Sequence, residues 1–123
     1  MPVGDLKAED LDGIFMAGGH GCCWDFCGEP AKPLVTLIEK LIAQGKTVGA
    51  VCHGVVALFD AKDAQGSPLV KGKKVTGFSD TEEAAVGLTE VVPYLIEAKY
   101  KDLGTSELSL AAFVCSPPFD IIY

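Results

Sequence analysis

The sequence predicts an α/β fold in which helices cover both faces of a parallel sheet. Two short apolar segments, residues 12–19 and 47–52, lack the alternation of polar and apolar residues that a strand with one wet face shows. A helix is predicted over residues 29–46, because apolar side chains recur there at the three- and four-residue spacing of one helical face. Alternating strands and helices are typical of parallel sheets, and a length of 123 residues favours one domain spanning residues 1–123.

The rest of the chain continues this alternation. A helix is predicted to begin at Asp80, because the first turn of residues 80–88 is acidic and helix N-termini favour negative charge. Pro93 is tolerated if it lies in the first turn of the next helix. The other predicted elements are a helix over residues 53–62, a ribbon with a glycine turn leading into a strand over 69–78, a helix over 89–104 and a last strand over 108–115.

Composition narrows the classes of function. The net charge is −7, so a polyanion such as nucleic acid is repelled and is not expected as a partner. No segment reaches the roughly 18 consecutive apolar residues of a membrane span, and the acidic N-terminal residues do not resemble a signal peptide. The chain has five cysteines, an odd number without a secretion signal, which argues against a disulfide framework. We therefore expect a cytoplasmic protein that binds neither membrane nor nucleic acid.

A cysteine and a histidine stand together where the second buried strand is expected to end, in the sequence Cys52-His53-Gly54. A nucleophile at such a sharp strand-to-helix turn is held exposed above the sheet. The following helix would favour the thiolate, and the N–H groups of His53 and Gly19 are candidate oxyanion donors. His53 is also a candidate base. The alternative for Cys52 is a small core residue, but the glycine-rich surroundings favour a nucleophile.

Neighbouring residues suggest further sites. His20 with Cys22, Cys23 and Cys27 could indicate zinc, but the spacing does not match the usual paired cysteines, so no metal site is predicted. His20, Gly21 and Trp24 are expected beside the substrate pocket, although a tryptophan in such a place is more often a packing anchor than a substrate contact.

Three segments carry a resemblance to a known family: GIFMAGGHGCCWDF, GKTVGAVCHGVVAL and GSPLVKGKKVTGFSDTEEAAVGLTEVVPYL. Over roughly residues 10–103 the chain resembles the PfpI family of the class I glutamine amidotransferase-like superfamily. The most similar branch contains heat-shock chaperones and glutathione-independent glyoxalases. The resemblance implies a flavodoxin-like α/β sandwich, usually a homodimer, that needs no metal or organic cofactor.

The resemblance also implies activities and site residues. It implies conversion of methylglyoxal-type dicarbonyls to hydroxy acids, deglycation of proteins, binding of misfolded clients as a holdase, or peptidase action. By motif match, Cys52 is the nucleophile and His53 is its partner. Gly19 and His53 form the oxyanion hole, and Asp80 matches an acid that orients the histidine in some branches.

The chain departs from this pattern at both ends. Family members are about twice as long, and a segment ahead of the GGHG strand supplies a glutamate that hydrogen-bonds the cysteine. We expect an internal fragment or a misdefined reading frame with an incomplete sheet, which self-associates and is a poor glyoxalase unless a partner chain completes the sheet. Asp80 and Asp25 are the candidates to replace that glutamate. The alternatives are a non-enzymatic holdase or redox-sensing stress protein, and an intracellular cysteine peptidase. The sequence does not identify the physiological substrate.

Overall fold

The computed structural model describes residues 1–109, 113–116 and 120–122. Its α-helices are α1 (Cys22–Asp25), α2 (Lys32–Ala43), α3 (Asp80–Ala85) and α4 (Ile96–Asp102). Its strands are β1 (Gly13–Met16), β2 (Thr47–Ala50), β3 (Lys74–Thr76), β4 (Glu107–Ser109), β5 (Phe113–Ser116) and β6 (Asp120–Ile122). Short 3₁₀ segments are Val3–Asp5, Ala8–Asp10, Glu29–Ala31 and Cys52–Leu58.

The main sheet has the strand order β1-β2-β5-β6. Strands β1 and β2 are parallel, with Met16 opposite Ala50, so their carboxyl ends meet at one edge. The predicted α/β class is therefore confirmed. The sheet is not wholly parallel, however, because β5 runs antiparallel to β2, and β6 antiparallel to β5. Strands β3 and β4 form a separate parallel pair.

Helix α2 is the predicted amphipathic helix, and it packs on β2. Its apolar face is buried at the expected positions, which are Leu34, Leu37, Ile38, Leu41 and Ile42. The helix stops where predicted, because Gly45 adopts a φ of 70° that favours glycine and its N–H closes on the Ile42 carbonyl. No helix in the described residues combines the length and hydrophobicity needed to cross a membrane.

The segment after the Cys-His pair is helical, as predicted, but forms a 3₁₀ helix rather than an α-helix. Residues 55–58 are fully buried in the hydrophobic core. Tyr100 is also fully buried and donates its hydroxyl to the carbonyl of Val55 at 2.7 Å. The segment therefore anchors the strand end that carries Cys52.

Three predicted elements differ from the structure. Residues 69–73 form turns, so only β3 remains of the predicted ribbon. The helix predicted over 89–104 begins only at Ile96. Pro93 lies inside the predicted range, and a proline keeps the residue before it out of the helical conformation. The prediction of a single strand over 108–115 meets two strands among the described residues, since β4 pairs with β3 and β5 pairs with β2. Residues 110–112 of that prediction lie outside the described residues.

Candidate active site

Cys52 lies in a sharp turn two residues beyond the end of β2. Its φ is 56°, and among the described residues it is the only one other than glycine with a positive φ. Such a conformation costs on the order of 1–3 kcal/mol and persists where the surrounding structure enforces it. The thiol is partly exposed at the carboxyl edge of the two parallel strands. This is the geometry of a nucleophile elbow, as the sequence predicted.

Two glycines let the loop after β1 pass directly against this turn. A Cβ on Gly18 would lie 2.7 Å from the Cβ of Cys52, and 2.8 Å from the Val51 carbonyl oxygen. A Cβ on Gly54 would run into the carbonyl oxygen of Met16 and lie 2.8 Å from that of Ala17. Only hydrogen fits at either position without a shift of backbone. The two glycine-rich turns therefore face each other, as expected.

The thiol begins a chain of hydrogen bonds that ends on a buried carboxylate. Cys52 Sγ lies 3.2 Å from His53 Nδ1, and His53 Nε2 lies 2.7 Å from Glu83 Oε2. His53 is 0% exposed and Glu83 is 2% exposed. Because a carboxylate only accepts hydrogen bonds, the proton of a neutral His53 ring sits on Nε2. Nδ1 is then free to accept the proton of the thiol.

The start of α3 positions Glu83. Ser79 caps the helix: its side chain accepts the N–H of Glu82, and the Glu82 carboxylate accepts the N–H of Ser79 at 2.8 Å. This reciprocal pair is a capping box, and its sequence signature is a serine followed three residues later by a glutamate. Applied to Ser79 and Glu82, that signature would have placed Glu83 one turn inside the helix. Glu83 is not among the site residues predicted from the sequence.

Asp80, the predicted orienting acid, is directed toward α4 instead. Its backbone N–H donates to Glu97 Oε2 at 3.0 Å, and its own Oδ1 is buried without a hydrogen-bond partner in the described part of the chain. Burial, together with the nearby Glu97 carboxylate, raises the pKa of Asp80. The structure thus sets Glu83, not Asp80, against His53.

His20 is a second partner of the same carboxylate. Its Nε2 lies 2.9 Å from Glu83 Oε1, and its ring centroid lies 4.0 Å from that of His53. Phe78 contacts the His53 ring, with centroids 4.5 Å apart. The His20 side chain keeps 36% exposure, so it connects the buried acid to solvent. That His20 lies beside a substrate pocket stays a prediction, and the hydrogen bond to Glu83 is a contact that the sequence did not predict.

The three cysteines near His20 do not converge on a common point. Cys22 Sγ donates to the carbonyl of Ala17, and Cys27 Sγ lies 3.0 Å from the hydroxyl of Tyr94. Burial raises the pKa of Cys22, and that of Cys23 to about 11. Within the described residues, one group of possible metal ligands is close enough together to hold an ion. It consists of His20, His53 and Glu83.

The other predicted site residues keep their roles as predictions. Gly19 has a φ of 132° in the loop beside Cys52, and Gly21 is exposed at the start of α1. Trp24 is 49% exposed on α1, a helix that packs against the 3₁₀ segment carrying Cys52. A cleft of about 840 Å³ lies elsewhere, between α2 and residues 62–73, and none of the predicted site residues lines it.

Known proteins are similar to this chain in sequence and in fold. Glyoxalase 3 of Candida albicans is 38% identical over 89 residues, which are 72% of this chain and 37% of that protein. The glutathione-independent glyoxalase HSP31 of Saccharomyces cerevisiae is 35% identical over 105 residues, which are 84% of this chain and 40% of that protein. The crystal structure of the Rapid Encystment Protein 24 KDa of Francisella tularensis superposes with a TM-score of 0.83 at 37% identity, covering 90% of this chain and 48% of that one.

The chain thus spans about two fifths of the length of these two glyoxalase relatives. The resemblance that the GGHG, AVCHG and VTGFSDTEE segments carry is confirmed at the level of the family. The model of the DJ-1/PfpI family matches residues 1–101. The chain belongs to the DJ-1/PfpI family.

Proposed function

We propose that this chain carries the reactive centre of a glutathione-independent glyoxalase, which converts a small methylglyoxal-type dicarbonyl to a 2-hydroxy acid. The observation that carries the proposal is the continuous path from the Cys52 thiol through His53 to the buried Glu83 carboxylate. The names of the relatives support it, since Glyoxalase 3 and HSP31 are both described as glyoxalases.

The first step is formation of a covalent bond. His53 Nδ1, 3.2 Å from the sulfur, takes the proton of the Cys52 thiol, and Glu83 stabilises the imidazolium that results. The thiolate adds to the aldehyde carbon of the dicarbonyl. The N–H groups of Gly19 and His53 are the proposed donors to the oxyanion, which then takes a proton to give a hemithioacetal.

The second step moves hydrogen within the substrate. A base removes the proton from the former aldehyde carbon to give an enediol, and a proton returns to the neighbouring carbon, leaving a thioester on Cys52. Water cleaves the thioester, which releases the hydroxy acid and restores the thiol. One carbon is oxidised and its neighbour reduced, so the sum is dicarbonyl plus water to hydroxy acid. His53 is the titratable group in hydrogen-bond contact with the sulfur, so we assign it the proton transfers.

The test is formation of lactate from methylglyoxal without glutathione, comparing the wild type with Cys52→Ser. A suitable control is Cys22→Ser, because a serine hydroxyl can keep the hydrogen bond that Cys22 donates to Ala17. We expect Cys52→Ser to lose turnover and Cys22→Ser to keep it within a few-fold. Turnover that survives Cys52→Ser would overturn the proposal.

The same preparation tests the alternatives. Suppression of client aggregation that is unchanged by Cys52→Ser, with no lactate formed, would favour a holdase. Hydrolysis of peptides that is lost with Cys52→Ser would favour a peptidase. A homodimer, expected from the family resemblance, remains a prediction that light scattering of the same samples measures.

A further inference from the structure

We propose that His20, Glu83 and His53 also form a binding site for a divalent transition-metal ion such as Zn²⁺, and that an ion bound there switches the Cys52–His53 couple off. The binding stands on the geometry of the three side chains. The switching rests on the proposed function, since it supposes that His53 handles the protons of the reaction.

The three side chains offer a suitable set of ligand atoms. One ring nitrogen from each histidine and one carboxylate oxygen of Glu83 lie within 4.8 Å of one another. Zn²⁺ binds such atoms at about 2.0–2.2 Å, and two histidines with one glutamate are a common set in zinc sites that leave one position open. A tetrahedral arrangement would place the ligand atoms about 3.4 Å apart. The two nitrogen–oxygen distances of 2.7 and 2.9 Å would each lengthen by less than about 1 Å to reach this value.

Charge and access also favour a cation here. Glu83 and His53 are almost completely buried, so the negative charge of the carboxylate has little contact with water. A bound dication compensates that charge directly. The side chain of His20, at 36% exposure, provides the route from solvent. The net charge of −7 raises the local concentration of cations around the protein.

The geometry excludes Cys52 from this ligand set. Its sulfur faces Nδ1 of the His53 ring at 3.2 Å, whereas the ion would be bound at Nε2 on the opposite edge of the ring. An ion at Nε2 takes the place of the proton that now bonds to Glu83. The proton of the neutral ring then moves from Nε2 to Nδ1, which faces the sulfur, so Nδ1 cannot accept another proton from the thiol or the substrate. The ion therefore blocks proton transfer without touching the nucleophile.

Cobalt provides a direct test, because Co²⁺ substitutes for Zn²⁺ and its spectrum reports its ligands. The full chain is titrated with Co²⁺ in a buffer free of thiols, and Zn²⁺ is then added as a competitor. We expect one ion per chain and visible absorption typical of a tetrahedral site, without the intense near-ultraviolet band of a cobalt–thiolate bond. An intense sulfur band would show that the cysteines bind the ion, and would overturn the assignment.

Two variants identify the ligands by affinity rather than activity. His20→Gln should weaken binding by about tenfold or more, as loss of a ligand does, while Cys52→Ser should change it less than twofold. If His20→Gln proves to be unfolded by circular dichroism, His20→Asn takes its place. Unchanged affinity in a folded His20 variant would contradict the proposal.

The switching is measured on turnover, with each variant compared with its own zinc-free rate. Zn²⁺ should inhibit the wild type and a chelator should restore it, and the His20 variant should need about tenfold more Zn²⁺ for the same fractional loss. If ions bind but the zinc-free wild type makes no lactate, the proposed function fails and the metal site stands. If lactate forms and neither Co²⁺ nor Zn²⁺ binds, the metal site fails and the proposed function stands.

Discussion

Replacing Glu83 by glutamine removes one negative charge while keeping the size of the side chain. Glu83 accepts hydrogen bonds from two imidazole rings, at 2.7 Å from His53 and 2.9 Å from His20. An amide can accept through its oxygen from one ring only, and its nitrogen must donate to the other. If the amide nitrogen faces His53, the proton of that ring moves to Nδ1 and the base is lost.

The expected loss follows from these contacts. A buried hydrogen bond to a charged group contributes about 1.5–3 kcal/mol, which is about a 10- to 150-fold effect on a rate when it stabilises the imidazolium. The unfavourable tautomer adds to this loss, as it does when the acid of a catalytic triad becomes an amide. We therefore expect Glu83→Gln to lower kcat/KM for methylglyoxal by about 10²–10⁴.

The matched control is Asp80→Asn, which removes the same charge from the same helix without a hydrogen bond to His53. Its kcat/KM should stay within about threefold of the wild type, well short of the loss of a general base. A second readout does not need turnover: the rate constant for alkylation of Cys52 by iodoacetamide at neutral pH, with a chelator present, should fall in Glu83→Gln alone. If Glu83→Gln matches the wild type in both assays, or if Asp80→Asn falls as far, Glu83 is not the acid that supports His53.

Further predictions follow from individual contacts. Substoichiometric iodoacetamide should modify Cys52 before Cys23, whose raised pKa of about 11 keeps it a thiol at neutral pH; peptide mapping that finds Cys23 first would contradict the elbow. Burial and Glu97 raise the pKa of Asp80 in the folded protein above its ordinary value. The ionisation of Asp80 therefore lowers the free energy of unfolding as the pH rises from its ordinary pKa through the raised one. Asp80→Asn should therefore have a higher melting temperature than the wild type at neutral pH, and this difference in melting temperature should disappear in acid. A lower melting temperature for Asp80→Asn at neutral pH would show that the charge stabilises the fold. Gly54→Ala should lower the free energy of unfolding in urea by about 1–3 kcal/mol, because its Cβ meets backbone oxygens; no loss would refute the close approach. Strand β1 is an edge of the described sheet and Phe15 is 61% exposed there, so Phe15→Lys should lower the mass measured by light scattering; an unchanged oligomer would place self-association elsewhere.

The sequence alone predicted the parts of the fold whose signals are local. Helix α2 has its apolar face and its glycine stop within one segment, and β1 and β2 are continuous apolar runs. The elbow was predictable because Cys52, His53 and Gly54 are adjacent in sequence. The position of the glycine loop opposite the elbow was also predictable, because parallel strands end at the same edge of a sheet.

The parts that failed depend on contacts between distant segments. Nothing within residues 108–115 indicates that β4 pairs with β3 while β5 pairs with β2. Asp80 and Glu83 are both acids at a helix start, and only the tertiary packing of α3 decides which one meets His53. The capping signature at Ser79 predicts where α3 begins, but it does not predict which of the two acids meets His53.

The central claim is that Cys52 forms the covalent bond with the substrate, and mass spectrometry of the mixed protein and methylglyoxal tests it most directly. The reaction is quenched in acid during turnover, and the peptides are mapped in the wild type and in Cys52→Ser. We predict one dicarbonyl-derived adduct on Cys52 that appears and decays as lactate accumulates, and none at that position in Cys52→Ser. Lactate that accumulates while Cys52 stays unmodified, or while other residues alone are modified, would contradict the account.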